Sequence, residues 1–174
     1  LEESVEAMRE NNVVLDTLSK SDGLTMTLNR RGFYQEAEKM LTEAREIGKP
    51  LLVLYADMNN LKIINDRYGH ENGDFSLKMI GRLLAEQIGE KGVAGRIGGD
   101  EFVMLIRDCT EEKVQELVST MRGDEKGNLS DVTAEFYCRL AIGGAFRKTA
   151  ETLEETIKRA DDEMYKNKHS VRKA

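Results

Sequence analysis

The stretch GVAGRIGGDEFVMLI, residues Gly92–Ile106, contains two short apolar segments on either side of a glycine pair. The segments Gly92–Ile97 and Phe102–Ile106 have the length and composition of strands, and Gly-Gly between them predicts a tight hairpin turn. The rest of the chain alternates strand patterns with helix patterns. An antiparallel hairpin in such a chain predicts a mixed sheet of the α/β or α+β kind, with helices packed on it.

Another strand is predicted where the run LLVLYA, residues 51–56, follows Pro50. The run is short, continuous and apolar, which is typical of a strand that is buried on both faces. Because the run ends at Asp57, we expect that carboxylate at the edge of the sheet, where ligands bind in open sheets. The alternative for Asp57 is a structural role as the N-cap of the next helix.

The predicted helices follow from apolar residues that recur at three- and four-residue spacing. They cover about 29–47, 60–68, 73–88, 111–121 and 152–168, and a late strand covers about 135–145. Asn29 is the candidate N-cap of the first of these helices, and Gly48 is its candidate end. Residues 1–19 form one more predicted helix. Its apolar stripe cannot be buried by the helix alone, so we expect it to pair with another helix or to pack on the domain.

Composition argues against several classes of function. The chain has 26 Lys and Arg residues against 32 Asp and Glu residues, a net charge of −6, whereas nucleic-acid-binding domains usually carry a basic face. No run approaches the roughly 20 apolar residues that span a bilayer. We expect a cytoplasmic location, which leaves open a membrane anchor elsewhere in a full-length protein. Cys109 and Cys138 lack metal-binding spacing and are predicted to be reduced thiols.

Two adjacent acids, Asp100 and Glu101, follow the glycine pair of the hairpin. Acids between apolar strands are costly unless they are solvated or paired with a cation, and glycine lets a ligand approach the backbone. An ordinary exposed hairpin tip is the alternative. If Asp57 and Asp100 share one site, two carboxylates leave positions free for water and phosphate oxygens, which is the arrangement that Mg²⁺ prefers on triphosphates.

The run RIGGDEF, residues 96–102, resembles the signature of the GGDEF domains, the diguanylate cyclases. Other segments resemble family elements in order and at family spacing, from Asp22 to Arg172. They are DGLT at 22–25, NRRGF at 29–33, DMNNLKIIND at 57–66, GHENGD at 69–74, LAIGGA at 140–145, and AD at 160–161 with YKNK at 165–168. The resemblance implies a nucleotidyl cyclase or polymerase palm: a central mixed, mainly antiparallel five-stranded sheet flanked by helices, with a ferredoxin-like core.

The resemblance also implies an activity, the condensation of two GTP molecules into cyclic di-GMP and pyrophosphate on Mg²⁺, with Mn²⁺ as an alternative ion. One such domain binds one GTP, so the implied active species is a homodimer. Residues 1–19 are then a candidate signalling linker from an upstream sensor domain, and residues 20–174 are the catalytic domain. The alternative function is a catalytically silent domain that binds GTP or mediates regulatory interactions.

Roles for single residues are implied by the family motifs. The implied metal ligands are Asp57, Asp100 and the carbonyl of Met58. Glu101 and Lys62 are implied to act in catalysis beside them. Glu101 is placed either on the metal or as an orienting group, and a charge on the turn is its structural alternative.

Substrate contacts are implied in the same way. Asn65 and Asp74 match the guanine-reading positions, and an aspartate that accepts from the guanine N1–H and amine discriminates against adenine. Lys168 and Arg172 match positions that hold the triphosphate. His70 is interpreted as a support of its turn rather than as a catalytic base.

The chain departs from the family pattern at several positions. The entry motif L-T-G-L is LTMT at 24–27, so Met26 stands where glycine is usual, and Asn59 replaces the second acid of the D-x-D segment. Met26, Thr27 and Asn59 favour the silent alternative, whereas the intact run at 98–102 favours activity. Gly89 and Gly92 replace the arginine and aspartate of the family's RxxD inhibitory site, so we expect no strong product inhibition through it.

Overall fold

The computed structural model of the chain describes residues 2–122 and 140–171. Its helices and strands follow in chain order. They are α1 Glu2–Lys20, β1 Leu28–Asn29, α2 Arg30–Ile47, β2 Leu51–Met58, α3 Leu61–Tyr68, α4 His70–Ile88, a 3-10 turn Gly89–Lys91, β3 Gly92–Arg96, β4 Glu101–Arg107, α5 Glu111–Arg122, β5 Leu140–Phe146 and α6 Leu153–Val171. No described helix has the length and apolar character needed to span a membrane.

Five strands form one sheet in the order β1-β3-β4-β2-β5. The β1–β3 pair is parallel and the other three pairs are antiparallel, which confirms the predicted mixed, mainly antiparallel sheet. The predicted hairpin is also confirmed, because β3 and β4 pair from Gly92 opposite Ile106 to Arg96 opposite Phe102. The turn is closed by the N–H of Ile97, which donates to the carbonyl of Glu101 at 3.0 Å.

Both faces of the sheet are covered, and β2 is buried along its whole length. On one face, Val53 and Tyr55 belong to a core that includes α2 and α6. On the other face, Leu52 and Leu54 belong to a core that includes α4 and α5. Burying each large aliphatic side chain contributes about 1.5–3 kcal/mol, so these two layers hold the end of β2 rigidly.

The helix ends test the sequence predictions directly. The side chain of Asn29 caps α2 by accepting from the N–H of Gly32 at 2.8 Å, and Gly48 ends the helix with a φ of 65°, as predicted. Helix α4 starts at His70 rather than at Gly73, because Gly69 alone makes the turn from α3 with a φ of 89°. The predicted strand covers residues 135–145. Its residues 135–139, which include Cys138, lie outside the described residues.

Helix α1 is exposed along its length, and none of its described residues is buried. Met8, Leu15 and Leu18 are each more than 60% exposed. The alternative that this helix packs its stripe on the domain is therefore wrong for the structure. Its C-terminal end is nevertheless fixed to α2, because the amide of Asn29 donates to the carbonyl of Ser19 at 2.7 Å. The signalling role of residues 1–19 stays a prediction.

Helix α6 lies unusually close to β5 because of Gly143. A Cβ atom built at this glycine would stand 2.0 Å from the backbone nitrogen of Met164 and 2.3 Å from the carbonyl oxygen of Ala160. The start of the helix is held separately, since Arg159 donates to Glu151 at 2.7 and 2.8 Å and also to the carbonyl of Phe146. These contacts fix the position of α6 against the sheet.

We expect Gly143→Ala to lower the free energy of unfolding by about 3 kcal/mol, because the new methyl group meets backbone atoms that cannot move without shifting α6. Gly144→Ala is the matched control, since its methyl group meets only the flexible end of Leu54 at 2.9 Å and should cost less than about 1 kcal/mol. Urea unfolding of both variants measures the difference. Equal losses for the two would contradict this account of the α6 contact.

Candidate active site

The acid predicted at the end of the buried strand lies where the sequence places it. Asp57 is the penultimate residue of β2, is 8% exposed, and stands opposite Glu101 on β4 and Ala141 on β5. The N-cap residue of α3 is Asn60, so the alternative role of Asp57 as a helix cap is wrong. Strands on both sides therefore fix the backbone that carries this carboxylate.

Asp100 is brought to the same end of the sheet by the hairpin turn. The N–H of Met58 donates to the carbonyl of Asp100 at 3.0 Å, which joins the end of β2 to the turn. Asp100 is half-buried, so the alternative of a freely exposed hairpin tip does not describe it. The structure thus brings together Asp57, Met58 and Asp100, the three predicted metal ligands.

The electrostatics of Asp57 reflect this crowding. Burial raises the pKa of Asp57, and the negative charges of Asp100 and Glu101 raise it further. Lys168 opposes the shift, because its ammonium group lies 3.3 Å from Oδ2 of Asp57. The other carboxylate oxygen, Oδ1, is buried without a hydrogen-bond partner. A buried acceptor without a donor is costly, and a cation at this oxygen would remove the cost.

The hairpin turn is braced by a second set of contacts. Arg96 donates from Nε and Nη2 to the carbonyl of Gly99 at 3.1 and 2.7 Å, and from Nη1 to Asp22 at 3.3 Å. Asp22 also accepts from the backbone and hydroxyl of Thr25. Burial by itself would raise the pKa of Asp22, but the hydrogen bonds from Thr25 and the charge of Arg96 outweigh it and lower that pKa. The entry motif therefore supports the turn that carries Asp100.

The predicted guanine readers lie at the junction of α3 and α4. Asn65 is half-buried, and a Cβ atom at Gly73 would stand 1.8 Å from its Oδ1 atom, so only glycine leaves room for this side chain. Asp74 follows Gly73 directly and is exposed. The amide of Asn65 on α3 thus lies against the first turns of α4, which begins at His70 and carries Asp74. The guanine-reading roles of Asn65 and Asp74 stay a prediction.

The predicted basic residues differ in how the structure places them. Lys168 on α6 reaches the site and pairs with Asp57. Lys62 is exposed on α3, and among the ion pairs of the described residues it has none with Asp57 or Asp100, so its catalytic role stays a prediction. Arg172 lies outside the described residues.

Met26 keeps the backbone conformation that favours glycine. Its φ is 61° and its side chain is 80% exposed, while its N–H donates to the carbonyl of Asp22 at 3.0 Å. A left-handed conformation costs a residue with a side chain roughly 1–2 kcal/mol. Met26 therefore adopts, with strain, a conformation that glycine adopts freely.

One polar residue of this region, Tyr55, was not predicted from the sequence to have a role in the site. Tyr55 lies two residues before Asp57 on the same face of β2 and is 7% exposed. Burial raises its pKa, and the charges of Glu101, Asp161 and Asp57 together with hydrogen bonding to Glu101 raise it further. The signal that was available is that Tyr55 is the only residue with a hydrogen-bonding side chain in the run LLVLYA.

The site suits a metal that is shared with a substrate. Within residues 2–122 and 140–171, no group of three or more His, Cys, Asp or Glu side chains could hold an ion alone. Mg²⁺ is usually bound by one or two carboxylates together with substrate phosphates and water, which is the donor set that Asp57, Asp100 and the Met58 carbonyl offer. Two surface clefts near Lys49 and Pro50 lie at the opposite end of β2 and include no predicted site residue.

Comparison with known protein families assigns the chain to one of them. The family model described as "Diguanylate cyclase, GGDEF domain" matches residues 19–174. The chain belongs to the GGDEF domain family. This GGDEF domain is 31% identical over 173 residues to the diguanylate cyclase DgcP of Escherichia coli, which covers 97% of the chain and 50% of DgcP. It is 34% identical over 142 residues to the cyclic di-GMP phosphodiesterase PdeB of Shewanella oneidensis, covering 80% of the chain and 16% of PdeB. The chain thus spans half or less of the length of each of these two relatives.

Solved structures show the same fold. A microbial GGDEF domain described for its interaction with cyclic di-GMP has a TM-score of 0.76 and 31% identity, covering 90% of this GGDEF domain and 94% of that chain. The coiled coil and GGDEF domain of DgcB from Caulobacter crescentus, in complex with c-di-GMP, has a TM-score of 0.83, covering 97% and 91%. At 24% identity the likeness to DgcB concerns the fold alone.

The raised pKa of Asp57 predicts a pH dependence of stability. The folded domain holds this proton more tightly than the unfolded chain does, so stability falls as the pH rises from the unfolded pKa through the folded pKa. We expect Asp57→Asn, measured by thermal unfolding without divalent ions, to raise the melting temperature at pH 8 and to change it little at pH 4. The exposed Asp66→Asn should have little effect at either pH. A loss of stability in Asp57→Asn at pH 8 would show that burying the charged carboxylate of Asp57 does not destabilise the folded domain.

Proposed function

We propose that this GGDEF domain is a diguanylate cyclase that condenses two GTP molecules into cyclic di-GMP and releases two pyrophosphates. The observation that supports this proposal is the meeting of Asp57 and Asp100 at one end of the sheet, with Oδ1 of Asp57 buried and unpaired. A site that concentrates negative charge in a half-buried crevice favours a divalent cation together with the phosphates it neutralises.

The proposed cofactor is Mg²⁺, with Mn²⁺ as an alternative ion, held by Asp57, Asp100 and the carbonyl of Met58. When bound, such an ion stabilises negative charge on the phosphates and lowers the pKa of a coordinated hydroxyl. Cyclases of this family generally use divalent metal ions, so the proposal agrees with the family.

The remaining residues bind and orient the substrate. Lys168 now neutralises Asp57, and on binding of the nucleotide we expect it to exchange this partner for the triphosphate, with Arg172 as a second cation. Asn65 and Asp74 read the guanine edge, and a site built for those donors rejects adenine. Glu101 and Lys62 act at the reacting phosphate, Glu101 beside the carboxylate pair and Lys62 from α3.

The reaction requires two facing domains. The 3′-hydroxyl of one GTP attacks the α-phosphorus of the other, the bond to pyrophosphate breaks, and the reciprocal attack closes the ring. Because each domain holds one GTP, most of the acceleration comes from orienting the two nucleotides against each other. A homodimer, a cytoplasmic location and an upstream sensor domain are parts of the same proposal.

A silent domain is the second candidate function. The strained Met26 and the amide of Asn59 favour it, and so does the similarity to PdeB, which is named as a phosphodiesterase. A silent domain would bind GTP, or mediate a regulatory interaction, without turning GTP over.

The deciding experiment is incubation with GTP and Mg²⁺ followed by analysis of the product. We expect cyclic di-GMP from GTP and no cyclic product from ATP. Asp100→Ala should lower the rate on the order of 1,000-fold, since several kcal/mol of charge stabilisation are lost with a metal ligand. Asp108→Asn is a matched control at the far end of β4, where Asp108 pairs with Lys49, and it should retain activity. GTP binding without turnover would replace the cyclase with the silent domain.

The exposed stripe of α1 predicts that residues 1–19 promote the dimer. Deleting them should lower the specific activity and make it rise with protein concentration, because the apolar residues that favour pairing are removed. Leu15→Glu should act in the same direction, and Glu10→Gln, a change of a polar residue on the same helix, should not. Sedimentation together with initial rates measures both effects. Activity that is unchanged in the deletion at every concentration would rule out this role.

A further inference from the structure

We propose that Tyr55 is a positioning residue, whose buried hydroxyl group holds the carboxylate of Glu101 beside the Asp57–Asp100 pair. The inference deepens the proposed function and rests on it, because it concerns the same cation site. It adds a residue on β2 to a site otherwise formed by the end of β2, the hairpin turn and α6.

Strand register puts the side chains of Tyr55, Asp57 and Glu101 on one face of the sheet. In the antiparallel β2–β4 pair, Asp57 stands directly opposite Glu101, and Tyr55 stands opposite Val103. Side chains of directly opposed residues share a face, and so do residues two apart on one strand. Tyr55 is therefore a diagonal neighbour of Glu101, at a separation that an aromatic side chain can span.

The position of the Glu101 carboxylate is restricted from the other side by the hairpin. A Cβ atom at Gly98 would stand 2.4 Å from Oε2 of Glu101, so this carboxylate lies over the glycine, where a side chain at position 98 would otherwise be. Glu101 is thus folded back along the turn rather than extended into solvent. Gly98 supplies the room for that conformation, but its N–H donates to the backbone carbonyl of Glu101, at 3.4 Å, and not to the carboxylate.

The hydroxyl group of Tyr55 supplies the missing contact. Tyr55 is 7% exposed, and its ring belongs to the core between β2 and α6, so the phenol cannot turn to solvent. A buried hydroxyl needs an acceptor, and the strand register assigns it the carboxylate of Glu101, its diagonal neighbour. This contact holds Glu101 on the face of the sheet that carries Asp57.

A second acid near Tyr55 is Asp161, which lies on helix α6. Its negative charge raises the pKa of the phenol, as the charge of Glu101 does, but Asp161 lies on α6 and not on the strand that pairs with β2. Burial raises the pKa of Asp161, and the adjacent Asp162 raises it further. Asp161 therefore provides an internal comparison, because it lies near the same hydroxyl group without being held by it.

Metal affinity tests the inference without requiring turnover. Binding of Mn²⁺ is measured by electron paramagnetic resonance for the wild type, Tyr55→Phe, Glu101→Gln and the double variant. Groups that orient a metal ligand change metal affinity by 10–100-fold, and we expect Tyr55→Phe to weaken Mn²⁺ binding about tenfold. In the Glu101→Gln background the same change should have an effect of less than about twofold, because Tyr55 acts through Glu101.

Four further measurements make the result specific. Tyr34→Phe removes a hydroxyl from α2, which carries none of the proposed metal ligands, and should leave Mn²⁺ affinity unchanged. Tyr55→Phe combined with Asp161→Asn should show the full loss expected from Tyr55→Phe. In turnover, Tyr55→Phe should lower kcat several-fold and leave KM for GTP unchanged, because the guanine and phosphate contacts remain. Melting temperatures establish that each variant is folded.

The possible outcomes separate the two proposals. If the wild type binds Mn²⁺ and the loss from Tyr55→Phe is the same with and without Glu101, the inference is wrong and the cyclase proposal stands. An absence of any loss in Tyr55→Phe has the same meaning. If the wild type binds no Mn²⁺ even with GTP present, the proposed function fails, and the role of Tyr55 fails with it.

Discussion

A single backbone hydrogen bond, from the N–H of Met58 to the carbonyl of Asp100, joins the buried strand β2 to the tip of the hairpin. It holds Asp57 and Asp100 close together although their like charges repel and burial penalises the charge of Asp57. The cost is visible in the raised pKa of Asp57. Two well-packed sheet faces, rather than any contact within the site, supply the stability that makes this approach possible.

Much of this arrangement could be predicted from the sequence because its determinants are local. The glycine pair at 98–99 between two apolar segments specifies the hairpin, and the run at 51–56 specifies a buried strand that ends in an acid. Asn29 and Gly48 mark the ends of α2 through their own capping chemistry. The convergence of Asp57 and Asp100 was suggested by the strand pattern and by the family resemblance together.

Other features could not be predicted, because they depend on partners that are distant along the chain. Gly143 lets the backbone of Met164 on α6 lie close to β5, and the position of α6 depends on that contact. The sequence pattern does not show which residue packs against Gly143. Tyr55 looked like one more apolar residue of a buried strand until the register placed it diagonally from Glu101. The start of α4 was predicted at Gly73 but lies three residues earlier, at His70. The reason is that Gly69 alone makes the turn from α3.

Gly92 has a consequence for attempts to engineer feedback control into this domain. A Cβ atom at this position would stand 2.1 Å from the carbonyl oxygen of Leu105 on the neighbouring strand. Grafting an arginine and an aspartate onto positions 89 and 92 therefore requires more than two substitutions, since the β3 backbone must first retreat from β4. That movement would stretch the hairpin that carries Asp100, so a regulatory graft on β3 would also change the position of Asp100 at the other end of the β3–β4 pair.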